Sequence, residues 1–299
     1  MDDNQIVIRR IGDELSERKL NFRNRIFHSF VTNFDKEEHD SGLSIKYVLK
    51  GEERYQIGTR NYRVTTGRFL VVNHHQQFSC TVRSQDPVEG MCFYLDPEQV
   101  LEAYHKVCPQ PDLEGVDPLR SDQLHFMEKI YSVHENDLGR YLQDLVPLLR
   151  QEEIEPHLDF NAVFSTLAEK LVRSQLEVNA RLRRIKNARR STREEIFRRV
   201  SRVRNFIDDN YLEDINLEEL AGLAFLSKYH FLRCFKEVYG ISPYQYVIQK
   251  RLEHSQMLLR DQEKTLSEIA YQTGFIDRRA FNRAFRKAYG FSPAEYRLA

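Results

Sequence analysis

Apolar and polar positions fall into two patterns along the chain. From Ile26 to about Leu95 they alternate in short runs, the period of a half-buried strand. Beyond Asp96 they recur at three- and four-residue intervals, the period of an amphipathic helix. In the first region Ser44 to Leu49 precedes a polar Lys50-Gly51-Glu52-Glu53 turn. Tyr55 and Ile57 then alternate before Gly58, and Tyr62 and Val64 before Thr66-Gly67. Phe69 to Val72 is a continuous apolar run, after which Phe78, Cys80 and Val82 alternate again. Short strands broken by glycine turns predict a β-sandwich or small barrel.

The helical region opens at Asp96-Pro97, an N-cap followed by proline at the first helical position, and runs from Glu98 to Lys106. A proline-rich loop spans Cys108 to Pro118. The spacing then predicts amphipathic helices over Asp122 to Val133 and Leu138 to Leu149, and a longer one over Asp159 to about Asn179. In that last helix Phe160, Val163, Phe164, Leu167, Leu171 and Val178 form one stripe. Two readings are open: the stripe packs on the barrel, or it pairs with its twin in a second chain. Pairing is the favoured one.

The most informative pattern is at the C-terminus. Leu266, Ile269 and Ala270 mark one face of a short helix, Gly274 turns the chain, and Phe281 and Phe285 point one way from a second helix. Arg278, Arg279, Asn282 and Arg283 share its opposite face, offering donors to phosphates and base-edge acceptors. Gly290 and Pro293 then stop the helix. The same unit occurs earlier: Phe231, Arg233, Phe235, Tyr239, Gly240, Ser242, Pro243 and Tyr246 recur 50 residues on, and Leu217, Leu220 and Ala221 are matched 49 residues on. Tyr244 to Leu259 joins the units as a helix of about 16 residues and about 24 Å. With the flanking helices that approaches the roughly 34 Å between successive major-groove segments on one DNA face. Arg193 to Asn210, with Ile196, Val200, Val203 and Ile207 at helical spacing, completes the first unit's core.

Two helix-turn-helix units joined by a helix, each ending in G-[IF]-S-P-x-x-Y, resemble the AraC family of bacterial transcription regulators over about 105 residues, from Arg193 to Ala299. The resemblance implies base-facing roles for Lys228, Tyr229, Leu232 and Arg233 in the first unit and for Arg278, Arg279, Asn282 and Arg283 in the second. Leu232 departs from the pattern, standing where a polar side chain is expected; the first unit either reads a thymine methyl there or reads little. The Gly51, Gly58 and Gly67 turns are similar in spacing to the cupin-like sensor barrel of sugar-responsive AraC relatives. RNA polymerase as a partner, activation of transcription and homodimer formation are likewise implied by the resemblance.

Charge changes the picture. The chain is neutral overall, yet residues 1–180 hold 21 basic and 30 acidic side chains and residues 181–299 hold 24 and 15. One half is therefore suited to a polyanion. The run from Arg181 to Arg193 has seven basic residues in thirteen; it is either a solvated linker or a phosphate contact. No apolar run approaches the roughly 18 residues of a membrane span, and the charged N-terminus does not read as a secretory signal. Cys80, Cys92, Cys108 and Cys234 have no metal-ligand spacing and are expected as reduced thiols in a cytoplasmic protein. His74 and His75, with His39, invite a metal reading. Adjacent strand residues point oppositely, however, and no glutamate follows suitably, so neither metal nor cofactor is expected. Tyr47, Tyr55 and Tyr62 either line a ligand cavity or belong to the core.

The expected fold is α+β: a cupin-like barrel (1–115), a helical dimerisation segment (116–180), a basic linker (181–192) and an all-α DNA-binding domain (193–299) with helix-turn-helix units at about 217–243 and 266–293. The expected function is ligand-controlled, sequence-specific regulation of transcription. Two alternatives are a regulator controlled by a partner protein at the N-terminal domain and a cupin-type enzyme carrying DNA-binding repeats. The enzyme would need clustered ligands or catalytic groups in the first 95 residues, and none is found.

Overall fold

The alternating region becomes strands β1 (Ile8–Ile11), β2 (Arg25–Ser41), β3 (Ser44–Lys50), β4 (Glu52–Ile57), β5 (Arg60–Thr65), β6 (Arg68–Val72) and β7 (Gln76–Tyr94), with β8 (Ile130–Ser132) added later in the chain. The computed structural model describes residues 8–11, 24–74, 76–108, 125–150, 158–186 and 188–298, side chains at 8–11 and 37–41 excepted. It divides into two units, Met1–Ala180 and Arg181–Ala299.

In the first unit the long β7 is the common partner. Antiparallel β2 pairs along it from Arg25↔Tyr94 to Ser41↔Gln76. β3 takes its second half (Lys46↔Cys92) and β4 its first (Tyr55↔Cys80). With β6 and β8 beyond β3, and β5 hairpinned to β4, the sheet curls into a near-closed barrel. Because side chains alternate between faces, Val48, Tyr55, Ile57, Tyr62, Val64, Leu70, Val72, Phe78 and Cys80 converge on one interior core.

Helices α1 (Pro97–Val107), α2 (Asp137–Leu149) and α3 (Phe160–Arg184) follow. Asp96 caps α1 by accepting from the Glu98 N–H. One expected helix is corrected: of the stretch Asp122 to Val133, residues 122–124 lie outside the described residues, 125–128 are not helical, and Ile130–Ser132 is the edge strand β8. The unpaired side of β6 explains this. It takes β8 in register Phe69↔Tyr131, with those rings stacked at 5.0 Å, and apolar spacing alone does not separate a short strand from a helix. The α3 stripe is also used differently from the favoured reading. Val163, Phe164, Leu167, Leu171 and Val178 are already buried within the single chain. Three polar contacts help to hold α3 there: Gln99 Nε2 to Ser165 Oγ (2.9 Å), Met127 N to Gln175 Oε1 (2.8 Å) and Asn136 Nδ2 to Ser174 Oγ (2.7 Å). A second copy would have to meet another surface.

The second unit is helical: α4 (Arg190–Asn210), α5 (Leu217–Leu223), α6 (Lys228–Tyr239), α7 (Pro243–Leu258), α8 (Leu266–Gln272), α9 (Arg278–Tyr289) and α10 (Pro293–Leu298). The basic run is thus largely helix ends, the last turn of α3 and the first of α4. Polar caps fix most starts: Asn216, Ser227, Ser242, Thr265 and Asp277 each accept a backbone N–H two or three positions into their helix. Gly240 and Gly290 end α6 and α9 with φ of 80° and 84°, the left-handed region that glycine enters without strain.

Candidate nucleic-acid interface

The two recognition helices share a construction. On α6, Phe231, Cys234, Phe235 and Val238 are buried; on α9, Phe281 and Phe285 are. Within each helix the two phenylalanines meet edge-on at 5.7 Å, and their full burial docks the helix on its own core. The buried rings leave the opposite face to solvent. Lys228, Tyr229 and Arg233 are exposed there on α6, with Leu232 half-buried. On α9, Arg278, Arg279 and Arg283 are exposed and Asn282 is half-buried. Each set therefore lies together on one helix face, away from the core.

Their electrostatic settings differ. Lys228 is ion-paired with Glu218 of α5, and Arg233 adjoins the buried Cys234, whose thiol pKa burial raises. Among the described residues no ion pair engages Arg278, Arg279 or Arg283. Three guanidiniums on one turn and a half of helix, none ion-paired among the described residues, make a surface whose chemistry calls for phosphates and guanine acceptors.

Between the units α7 is a continuous helix, started by a reciprocal Ser242–Gln245 capping box. Arg251, midway along it, staples the two helix-turn-helix repeats within the 181–299 unit. Its Nε donates to the Tyr211 carbonyl (2.7 Å), Nη2 to that of Glu213 (2.8 Å) and Nη1 to that of Gly274. Sequence reading missed this residue because its partners are backbone carbonyls, which no motif encodes.

In the barrel, Tyr55 and Tyr62 face each other across β4 and β5 and point into the interior core, whereas Tyr47 lies on the opposite face of β3 from Val48. The interior also holds charge that the sequence reading did not single out. Lys46 is 4% exposed, with its ammonium over the Phe78 and Tyr94 rings and donating to the Tyr94 hydroxyl at 2.9 Å. Glu53 is 6% exposed and accepts from the Tyr55 hydroxyl. Burial pushes the Glu53 carboxyl above its ordinary range, against the Tyr55 hydrogen bond and the Lys46 charge, and raises Tyr55 as well. The Ser44 hydroxyl, on the same strand face as Lys46, is buried without a hydrogen-bond partner. A separate recess of about 410 Å³ is lined by Gly51, Glu52, Arg54, Thr65, Thr81, Arg83, Ser84 and Val88. It includes none of the three tyrosines, and its arginines are held by Glu52 and Asp35. His74 sits in the turn after β6; His75 and the His39 side chain lie outside what is described. Among the described residues no group of three or more His, Cys, Asp or Glu could hold a metal ion, and no helix is long and apolar enough to cross a membrane.

A barrel followed by paired helix-turn-helix units with a cationic second recognition helix defines a DNA-binding transcription regulator. The family model described as an AraC-like ligand binding domain matches residues 29–183, and that of a helix-turn-helix domain matches residues 220–299. The chain belongs to the AraC family, whose members regulate transcription and are not enzymes. It is 25% identical over 252 residues to the uncharacterized HTH-type transcriptional regulator YbfI of Bacillus subtilis (strain 168), covering 84% of this chain and 82% of that one. It is 24% identical over 247 residues to the HTH-type transcriptional activator RhaS of Shigella dysenteriae serotype 1 (strain Sd197), covering 81% and 80%. The DNA-binding domain of AdpA, solved in complex with a target DNA, is 31% identical, with coverage of 33% of this chain and 89% of that one and a TM-score of 0.32.

Proposed function

We propose that the protein is a transcription activator whose DNA binding is controlled by a small polar effector held inside the barrel. The observation that supports effector control is the buried Lys46–Glu53–Tyr55 set. Charged groups sealed in a barrel cost desolvation that a hydrophobic core would avoid, and clustered buried titratable groups are where ligand sites arise. Tyr62 lines the same interior; Tyr47 faces away and takes no part in effector binding. The open recess is a poorer candidate, since its cations are already neutralised. On DNA, Lys228, Tyr229, Leu232 and Arg233 read one major-groove segment and Arg278, Arg279, Asn282 and Arg283 the next. The protein acts as a homodimer and recruits RNA polymerase.

A panel of small hydroxylated and charged metabolites, screened by thermal shift on the full chain, tests the effector reading. A compound that raises the melting temperature of the wild type but not of Lys46→Met, and changes affinity for a duplex selected in vitro, is the expected result. A compound that shifts both proteins equally would place the effector elsewhere.

A further inference from the structure

The turn before the first recognition helix carries a side chain that folding does not require. Phe225 has φ of 52°, a left-handed conformation that strains a bulky L-residue. Its counterpart in the second unit is Gly274, with φ of 77°. The two turns close with the same backbone bonds. Leu226 N reaches Ala221 O at 3.1 Å, as Phe275 N reaches Ala270 O at 2.9 Å. Phe225 N reaches Gly222 O at 3.0 Å, as Gly274 N reaches Tyr271 O at 3.0 Å. Glycine thus serves this turn equally well. At 274 it is also required, because a Cβ would come within 2.9 Å of the Leu212 carbonyl oxygen and the Arg251 guanidinium. At 225 the ring instead stands 71% exposed.

Strain retained under an exposed aromatic ring points to a role outside the fold. The setting says which. Phe225 lies two residues before Ser227, the N-cap of α6, and Tyr229 on the first turn of that helix is 79% exposed. Basic side chains stand near this corner: Arg233 on α6, Lys228, which Glu218 engages, and Arg199, which pairs with Glu195 and whose Nη1 donates to the Phe225 carbonyl at 3.4 Å. The second unit repeats the feature by a different route. Its one-residue-longer turn keeps the glycine and places Ile276, 93% exposed, directly before the Asp277 cap. An apolar side chain therefore stands at the entry to both recognition helices, at the start of the face that carries their basic residues. Duplex DNA offers that combination, since phosphates flank a major groove whose apolar feature is the thymine C5-methyl.

We propose that Phe225 is a specificity-determining DNA contact, its ring lying against a thymine methyl in the groove segment entered by α6. This rests on the α6 face meeting DNA, which Arg233→Ala examines separately. The experiment uses the full-length protein and a duplex recovered by it from a randomised pool. Phe225→Gly, and Phe225→Asn, which tolerates the left-handed backbone, should melt no lower than the wild type. Both should bind the selected duplex about three- to ten-fold more weakly. Replacing thymines one at a time by uracil should weaken the wild type at one position, and Phe225→Gly should be indifferent to that replacement. Unchanged binding by Phe225→Gly while Arg233→Ala weakens it would overturn the Phe225 contact alone. Unchanged binding by both would also remove α6 from the DNA. Unchanged binding with lost transcription in a reconstituted assay would assign Phe225 to the transcription machinery and overturn the proposal.

Discussion

The two helix-turn-helix units share a backbone and differ in what they present. At matched positions the first carries Lys228, Tyr229, Leu232 and Arg233, the second Arg278, Arg279, Asn282 and Arg283. The first surface leans apolar, extended by Phe225, and its lysine is engaged by Glu218. The second carries Asn282 and three guanidiniums, none of them ion-paired among the described residues. Their stopping helices are also held differently. In the first unit the Tyr246 hydroxyl donates to Asp208 (2.6 Å) and accepts from Arg204 (2.9 Å), while the Tyr239 hydroxyl donates to Ser201 (3.1 Å). In the second, Phe291 stacks on Tyr289 (6.4 Å) and Tyr296 (5.8 Å), and neither tyrosine hydroxyl makes a hydrogen bond among the described residues. If the proposed contacts hold, one fold serves two modes of reading, a thymine methyl in the first unit and hydrogen-bond acceptors in the second.

The largest expected effect separates those modes. Arg283→Ala should cost about 1–3 kcal/mol of binding to the selected duplex and relax preference at one or two base pairs. Arg233→Ala, at the matched position, should cost less. Titrations on selected and random duplexes decide this, and equal losses on both duplexes for Arg283→Ala would remove its base-reading role. Next come the helix stops. Gly240→Val and Gly290→Val should each destabilise the domain by about 1–2 kcal/mol through backbone strain alone, since a Cβ at either site meets nothing within 4 Å. Gly240 leads into α7 and Gly290 into the short α10, so only the first change should alter the relation between the two footprints at matched folded fraction.

Smaller effects sharpen the contrast in anchoring. Tyr246→Phe removes a hydroxyl from a half-buried polar network and should lower stability by about 1 kcal/mol. Tyr296→Phe removes one that makes no hydrogen bond among the described residues and should fall within about 0.5 kcal/mol of wild type. Chemical denaturation of the two variants measures the difference. Smallest of all, Arg184→Gln and Lys186→Gln should weaken selected and random duplexes alike, each reducing the salt slope by about 1 if it meets a phosphate.

Much of this was legible in the chain. The repeated G-[IF]-S-P-x-x-Y stops, the paired phenylalanines and the basic face announced both units, because helix ends and buried faces follow local rules. Strands β3 to β7 were legible from alternation and glycine turns. What escaped depends on partners distant in sequence. β8 formed where a helix was expected because β6 had an open side. The α3 stripe was absorbed within the chain rather than left for a twin. Lys46 was given no role within the strand Ser44 to Leu49 and Glu53 was placed in the polar turn after it, since the faces of β3 and β4 are settled only by their pairing with β7. Phe225 gave a faint signal, an aromatic residue where the other repeat has glycine, but its exposure and positive φ are visible only in three dimensions.

The central claim is that α6 and α9 enter successive major-groove segments and that α9 carries most of the sequence preference. Hydroxyl-radical footprinting of the full-length protein on the selected duplex tests it most directly, with Arg283→Ala alongside. The account predicts two protected segments about 10 base pairs apart for each protein subunit bound, with the stronger base preference in the segment whose protection Arg283→Ala loses. A single protected segment, or strong preference confined to the segment that Arg283→Ala leaves protected, would contradict it.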